Sequence, residues 1–227
     1  MFIKNGKKVL VVSSVHGDET FSVEATDHIV KHNPECSILV ANTAAFAQNK
    51  RFIDEDLNRS FPGNKDSKLL EIRLAAMILS YIQQFEYVID IHTTTSDLKV
   101  VPIIVSGNNE TKRMAKLVPS KEVVIAGTID SIGTLIGNAK NGMSLEFGEK
   151  FARENKNYCL SEIMSIIHMI GEDTLNNDQT YFETKGMIHN QENLENFVPL
   201  PGSNVYPFLV GEKSYNGSCF ACVKLNT

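Results

Sequence analysis

The chain has 227 residues, and at about 150 residues per domain this length allows one α/β domain with a small appendage. Hydrophobic residues make up 42% and charged residues 22%, which is ordinary for a globular protein and excludes a disordered or collagen-like chain. The net charge of −5 argues against a general nucleic-acid binder, because such proteins are more often basic.

Short apolar runs alternate with helical periodicity through the first three-quarters of the chain. Strands are expected at residues 8–14, 37–41, 87–91, 99–105, 122–126 and 142–147. Helices are expected at residues 19–30, 69–85, 111–118 and 153–170. This alternation predicts an α/β fold with a mostly parallel sheet covered by helices on both faces. Residues 42–68 lack periodicity, and so long a loop in a compact domain is usually functional.

The character of the sequence changes after about residue 171. Residues 172–179 are polar and indicate a linker, and strand candidates follow at residues 180–189, 205–210 and 218–225. We therefore expect an α/β domain at residues 1–171 and a small β subdomain at residues 172–227.

No segment has the character of a membrane span or a signal peptide. The apolar run at residues 9–12 is too short for either, and nothing approaches about 18 uninterrupted apolar residues. We expect a soluble, cytoplasmic protein without a membrane partner. Cys219 and Cys222 form a C-x-x-C pair, but no second pair completes a zinc knuckle, which favours two thiols on a late strand.

Two strand ends carry residues that can bind a metal ion. His16 and Glu19 are three residues apart where the first strand gives way to a helix, and in a first helical turn they would point the same way. His92 follows another strand, and open α/β sheets place their ligands at strand ends. Two histidines and a glutamate suit a catalytic zinc ion with one open position. A surface pair and a capping histidine are the alternatives, and Asp90 either orients His92 or caps a turn.

A third strand carries an isolated carboxylate. Glu146 lies between Leu145 and Phe147, so strand alternation puts it on the opposite face from both. A lone carboxylate there is costly unless it is paired, ligating or catalytic. It is a candidate general base beside a metal ion, and the alternative is a salt bridge to Lys140 or Lys150.

Two arginines flank an acidic stretch in the long loop. Arg51 and Arg59 offer planar forks that bind carboxylates, and Asn58 adds donors of fixed geometry. An arginine beside a metal ion would also stabilise an oxyanion. The alternative is a solvated loop whose arginines pair with its own acids.

Five segments in this order resemble the aspartoacylase/succinylglutamate desuccinylase family of zinc hydrolases, which are related to the metallocarboxypeptidases. The segments are HGDE (16–19), NKRFIDEDLNRSFPG (49–63), DIHTTTS (90–96), LEFG (145–148) and VYPFLVGEKSY (205–215). The resemblance implies a carboxypeptidase-like α/β fold, with a mixed, mostly parallel sheet and a small C-terminal β subdomain that contributes to the pocket.

The resemblance also implies roles for the catalytic residues. One Zn²⁺ per chain would be bound by His16, Glu19 and His92. Glu146 would activate the attacking water and then protonate the leaving amine. Arg51 would polarise the scissile carbonyl.

A further set would bind the substrate, a small anionic N-acyl amino acid that the enzyme deacylates. Asn58 and Arg59 would hold its carboxylate, and Tyr215 with Glu212 would close the pocket. Aspartoacylases proper place an arginine about ten residues before the catalytic glutamate, whereas residues 131–140 here contain none. This departure puts N-acetylaspartate in question as the substrate.

Other functions compete with the deacylase interpretation. The same ligand set serves a carboxypeptidase-like metallopeptidase, and a zinc-dependent binding or sensing protein would keep the metal site without turnover. The short C-terminal part leaves open a homo-oligomer in which another subunit completes the pocket. A nucleic-acid role is disfavoured because the basic residues are not interleaved with aromatics.

Overall fold

The computed structural model describes residues 3–4, 7–33, 36–105, 108–127, 131–171 and 178–226. The strands in this part of the chain are β1 (Ile3–Lys4), β2 (Lys7–Ser13), β3 (Ser37–Val40), β4 (Tyr87–Thr94), β5 (Val100–Val105), β6 (Glu122–Ala126), β7 (Gly142–Gly148), β8 (Thr180–His189), β9 (Val205–Phe208) and β10 (Ser218–Lys224). The helices are α1 (Thr20–His32), α2 (Thr43–Ala47), α3 (Leu70–Ile82), α4 (Asn109–Ala115), α5 (Glu149–Glu154) and α6 (Lys156–Met169). Short 3-10 helices occur at Leu57–Arg59, Ile136–Asn138 and Lys213–Tyr215.

All ten described strands belong to one mixed sheet. Its order is β1-β2-β4-β7-β5-β6-β8-β10-β9, with β3 paired to β2. The pairs β2–β3, β2–β4, β4–β7, β5–β6 and β6–β8 are parallel. The pairs β1–β2, β5–β7, β8–β10 and β9–β10 are antiparallel. The predicted α/β class with a mixed, mostly parallel sheet is confirmed.

Helices cover both faces of the sheet because the side chains of its central strands alternate. Val9 and Val11 of β2 pack in one apolar cluster with residues of α1, α4 and α6. Leu10 and Val12 point the other way, into a cluster with residues of α3. All four are fully buried, and burying such a side chain contributes about 1.5–3 kcal/mol. A third cluster joins β5, β6, β8, β9 and β10.

Two segments contain more secondary-structure elements than the sequence indicated. The loop at residues 42–68 contains α2 and the 3-10 helix Leu57–Arg59. The helix expected at residues 153–170 is two helices, α5 and α6, which meet at Asn155. The Asn155 backbone is not helical, with φ −122° and ψ 35°, and its side-chain amide donates to the carbonyl of Phe151. Asparagine competes for backbone hydrogen bonds in this way and interrupts helices.

The C-terminal strands extend the main sheet, since β8 pairs with β6 as well as with β10. The division into two units at residue 171 stays a prediction, and residues 172–177 of the expected linker lie outside the described residues. Cys219 and Cys222 are buried on β10, as expected for two thiols on a late strand, and none of the four cysteines forms a disulfide. None of the described helices has the length and apolar character needed to cross a membrane.

A buried carboxylate organises the loop that carries Arg51 and Arg59. Glu71, in the first turn of α3, is fully buried. Its two oxygens accept hydrogen bonds of 2.7–3.2 Å from the side-chain amide of Asn42 and from the backbone N–H groups of residues 53–55. Burial opposes ionisation of Glu71, but these donors hold its pKa below the usual value. The loop is therefore held by one charged group.

We predict that Glu71→Gln lowers the free energy of unfolding at pH 7 by about 1.5–3 kcal/mol, the range for hydrogen bonds to a charged group. The pKa of Glu71 is lower in the folded than in the unfolded chain. Its contribution is therefore complete above the unfolded-state value and is lost as the pH falls through the folded-state value. Urea unfolding of both proteins from pH 7 downward measures this difference.

Glu149→Gln is the matched control, because Glu149 is exposed and pairs only with exposed Arg153 among its described contacts. Such surface pairs contribute little, so this variant should unfold like the parent protein. Equal stability of Glu71→Gln and Glu149→Gln at pH 7 would contradict the role assigned to Glu71.

Candidate functional site

The carboxyl ends of β2, β4 and β7 lie side by side, and each delivers one part of the site. His92 lies within β4 and is directly paired with Glu146 on β7, so both side chains project from the same face. His16 follows β2 after Ser14, whose left-handed backbone (φ 53°) turns the chain away from the strand. The alternation argument for Glu146 is confirmed, because Leu145 and Phe147 pack into the cluster on the opposite face.

The turn after β2 is packed tightly against α2. A Cβ on Gly17 would lie 2.2 Å from backbone atoms of Ala45 and Phe46, so no larger residue fits without movement. The N–H of Gly17 also donates to the carbonyl of Arg51, over 3.1 Å. The position of His16 therefore depends on the close approach of a glycine to the neighbouring helix.

Two details of the predicted placement are corrected. Helix α1 begins at Thr20, so His16 lies in the preceding turn and Glu19 occupies the N-cap position rather than the first helical turn. Strand β4 continues to Thr94, so His92 lies inside the strand and not after it. Strand β2 ends at Ser13, whereas β4 continues from Asp90, the partner of Val12, to Thr94.

Potential ligand atoms of His16, Glu19 and His92 converge. Nδ1 of His16 lies 2.6 Å from Oε1 of Glu19, and Nδ1 of His92 lies 3.0 Å from Oε2 of the same carboxylate. One ligand atom from each residue lies within 4.8 Å of the other two, and all three residues are buried. A set of two imidazoles and one carboxylate is typical of a catalytic zinc site.

The remaining ring nitrogens are held by two further carboxylates. Nε2 of His16 lies 3.0 Å from Asp56, and Nε2 of His92 lies 2.8 Å from Asp90. Metal-binding histidines commonly donate their other ring N–H to a carboxylate, which fixes the tautomer and the ring orientation. Both histidines thus present Nδ1 toward Glu19, and this donor arrangement fits a divalent metal ion.

Opposite charges hold the cluster together. Burial opposes ionisation of Glu19, but His16 and His92 keep its pKa well below the ordinary value. Burial likewise lowers the pKa of His92, but Asp90 and Glu19 outweigh this and raise it well above the ordinary value. The two imidazoles and the Glu19 carboxylate therefore favour each other's charged forms.

Asp56 also contacts Arg51. Its Oδ2 accepts a 3.3 Å hydrogen bond from the Arg51 guanidinium, which lies 3.6 Å from Glu19 as well. One loop arginine therefore does pair with an acid of its own loop, as the alternative interpretation held. The Arg51 side chain is only 23% exposed, however, and this pair is part of the site rather than a solvated surface contact.

Asn58 and Arg59 lie beside the same pocket. The Asn58 side-chain oxygen accepts from the N–H of Leu135 over 2.9 Å, which leaves its NH₂ group as the side-chain donor. Arg59 is exposed, and its guanidinium donates to the Asn58 carbonyl over 2.8 Å. These two residues place uncharged and charged donors next to each other.

Glu212 ties the C-terminal part of the chain to the end of β4. Its Oε2 accepts from the Thr94 hydroxyl at 2.6 Å and from the Thr95 N–H at 2.8 Å. This contact positions the 3-10 helix Lys213–Tyr215 at the pocket. Burial raises the pKa of Tyr215 to about 12, so its phenol stays protonated at neutral pH.

Glu146 lines the same pocket as His16, Glu19 and His92. Burial raises its pKa, with Glu19 adding to the increase and His92 opposing it. Among the described contacts it forms no ion pair with Lys140 or Lys150, which were the partners in the alternative interpretation. Its carboxylate is thus available at the pocket.

One pocket of about 760 Å³, including its open mouth, is lined by all nine residues singled out in the sequence. These are His16, Glu19, Arg51, Asn58, Arg59, His92, Glu146, Glu212 and Tyr215. Asp56 was missed as a site residue, because in the sequence it is one acid among several in a charged loop. The convergence of the nine supports a common site, whereas their individual roles stay predictions.

The profile of the succinylglutamate desuccinylase/aspartoacylase catalytic domain matches residues 5–157, which is more than half of the chain. The chain belongs to this family. The match contains the two histidines, the two glutamates and the loop arginines of the site, but ends before Glu212 and Tyr215.

Curated relatives match over part of their length. A protein of Prochlorococcus marinus (strain MIT 9515) named "Probable aspartoacylase" is 32% identical over 120 residues, which cover 47% of this chain and 40% of the relative. An "N-acyl-aromatic-L-amino acid amidohydrolase (carboxylate-forming)" of Xenopus laevis is 29% identical over 131 residues, covering 50% and 43%. The chain spans less than half the length of these relatives.

Solved structures share the fold over nearly the whole chain. Murine aminoacylase 3 superposes with a TM-score of 0.75 at 19% identity, covering 96% of this chain and 95% of that one. The succinylglutamate desuccinylase of Chromobacterium violaceum gives a TM-score of 0.74 at 18% identity, covering 98% and 86%. At these identities the likeness establishes the fold.

We predict that His16→Ala abolishes stoichiometric zinc binding, because it removes one of three converging ligands. Asp56→Asn should instead weaken zinc affinity by about 10- to 100-fold, since it replaces the charged acceptor that orients His16 with a neutral amide. Competition with a chromophoric chelator measures the affinity. His168→Ala, at an exposed helical position, is the control and should bind zinc like the parent protein. Undiminished affinity in His16→Ala would exclude this site.

Proposed function

We propose that the protein is a zinc-dependent amidohydrolase that removes the acyl group from a small N-acyl amino acid. The observation that carries this proposal is the convergence of His16, Glu19 and His92 beside Glu146, in a pocket that also contains Arg51 and Arg59. Membership of the desuccinylase/aspartoacylase family supports the reaction class.

His16, Glu19 and His92 would hold the zinc ion. When bound, zinc supplies a Lewis acid that polarises a carbonyl group and lowers the pKa of water. The chain contributes the fixed orientation of the ligands, because Asp56 and Asp90 hold the outer nitrogens of the two imidazoles.

Glu146 would transfer the protons. It accepts a proton from the attacking water and delivers a proton to the amine nitrogen as the carbon–nitrogen bond breaks. Its pairing with His92 across β4 and β7 sets it directly beside the ligand cluster, which is the position that a general base requires.

Arginines and Asn58 would bind the negative charges of the substrate. Arg51, which contacts Glu19, lies close enough to the cluster to stabilise negative charge that develops on the carbonyl oxygen. Asn58 and Arg59 would hold the carboxylate of the amino acid through adjacent donors. Tyr215, with its protonated phenol, would cover the bound substrate and donate a hydrogen bond.

We predict that Glu146→Gln keeps one zinc ion per chain but lowers kcat by about 10²–10⁴-fold, the usual contribution of a general base. Zinc content is measured by elemental analysis, and turnover by amine release from a panel of N-acyl amino acids. Glu154→Gln, at an exposed position on α5, is the control and should retain full activity.

The same panel should contain short peptides, because a carboxypeptidase-like enzyme would use an identical ligand set. Hydrolysis of peptides in preference to N-acyl amino acids would replace the proposal with a peptidase. Tight zinc binding without hydrolysis of any amide would favour a binding or sensing protein. Normal turnover by Glu146→Gln would remove this residue from the reaction.

A further inference from the structure

The pocket is divided between a charged side and an apolar side. In the described part of the chain, the charged and histidine side chains that line it are His16, Glu19, Arg51, Arg59, His92, Glu146 and Glu212. These residues lie on β4 and β7, in the turn after β2, in the loop at residues 51–59 and in the turn that contains Glu212. Each of these residues already has an assigned role, either in the proposed deacylation or in positioning other residues of the site.

Another part of the lining contains five hydrophobic residues, which we call the apolar wall: Ile103, Val124, Phe208, Leu209 and Phe220. They come from β5, β6, β9, the residue after β9, and β10. Three of them belong to the third apolar cluster and are at most 4% exposed, so the wall is backed by a packed core. A rigid apolar surface of this kind selects for apolar groups by the area that it removes from water.

Strand register places this wall next to the reacting centre. Ile103 on β5 pairs with Ser144 on β7, two residues before Glu146 and on the same face. Val124 on β6 pairs in turn with Ile103. At a strand spacing of about 4.8 Å, the wall begins roughly 5 Å from the strand of Glu146 and continues to roughly 10 Å. A group bonded close to the scissile amide would therefore reach it.

A second carboxylate on the substrate would find no charged partner at Ile103 and Val124, the part of the wall that lies on β5 and β6. Arg51 contacts Asp56 and Glu19, and Arg59 lies beside Asn58. No other lysine or arginine is among the described residues of the pocket lining. Burying an unpaired carboxylate against a hydrophobic surface is strongly unfavourable.

We propose that the apolar wall is a subsite for an uncharged aliphatic or aromatic group next to the scissile amide. This inference rests on the proposed deacylase function and narrows it: the substrates are N-acyl amino acids that carry a single carboxylate. The apolar group belongs either to the amino-acid side chain or to the acyl chain, and the experiment separates these two sources.

The test uses the zinc-loaded full chain and two matched pairs of substrates. N-acetyl-L-leucine against N-acetyl-L-aspartate examines the side chain, and N-hexanoylglycine against N-succinylglycine examines the acyl group. We expect kcat/KM to favour the apolar member at least tenfold in one pair, and that pair identifies which group occupies the wall. Preference for the dicarboxylate in both pairs would overturn the subsite while leaving the deacylase function intact.

Binding of the products gives a readout that does not need turnover. Calorimetry compares L-leucine with L-aspartate and hexanoate with succinate on the same zinc-loaded protein. If no N-acyl amino acid is hydrolysed, the proposed function fails. Tighter binding of the apolar member would then still support the subsite, and equal or tighter binding of both dicarboxylates would overturn it.

A substitution at the wall tests its location. Ile103→Lys adds a cation there and should shift the preference toward the dicarboxylate by at least tenfold. Val30→Lys is the matched control, because Val30 is also β-branched, is 50% exposed on α1 and is outside this pocket, and it should leave the preference unchanged. If Ile103→Lys does not fold, Phe220→Ala should lower the preference for the apolar member. An unchanged preference in the folded variant would exclude the wall.

Discussion

The carboxylate of Glu19 lies between two buried histidines, and the rest of the site depends on this contact. One oxygen meets Nδ1 of His16 at 2.6 Å, and the other meets Nδ1 of His92 at 3.0 Å. Such a group stays charged in the interior only because positive charge surrounds it, from the imidazoles and from Arg51. A divalent cation held by these three residues would provide the same charge balance.

The fold makes this contact possible by setting three strand ends next to one another. Strands β2, β4 and β7 are parallel neighbours, so the turn after β2, the end of β4 and the middle of β7 meet at one edge. The next strand of the sheet, β5, runs antiparallel to β7. That antiparallel pair brings Ile103 against Ser144 and thereby puts an apolar surface beside Glu146. The register between β5 and β7 therefore places Ile103 of the apolar wall beside the charged residues of the pocket.

Much of this arrangement could be predicted from the sequence, because periodicity and strand-end position are local properties. The position of Glu146 opposite its apolar neighbours follows from alternation along a strand. His16 could be found because it follows the end of β2, and His92 because it lies near the end of β4. The role of Asp56 could not be predicted, since its contact with His16 spans 40 residues of chain. The break at Asn155 was also missed, because residues 153–157 are all polar and contain no apolar residue whose spacing could show it. The contact of Glu212 with Thr94 could not be predicted either, because it depends on the three-dimensional path of the C-terminal segment, which no local sequence pattern indicates.

One metal ion is expected to bind between His16, Glu19 and His92. Anomalous diffraction at the zinc absorption edge, from crystals grown with one equivalent of zinc, measures this directly. We expect one strong peak within bonding distance of Nδ1 of both histidines and of the Glu19 carboxylate. A peak at Cys219 and Cys222, or coordination through the Nε2 atoms that face Asp56 and Asp90, would contradict it.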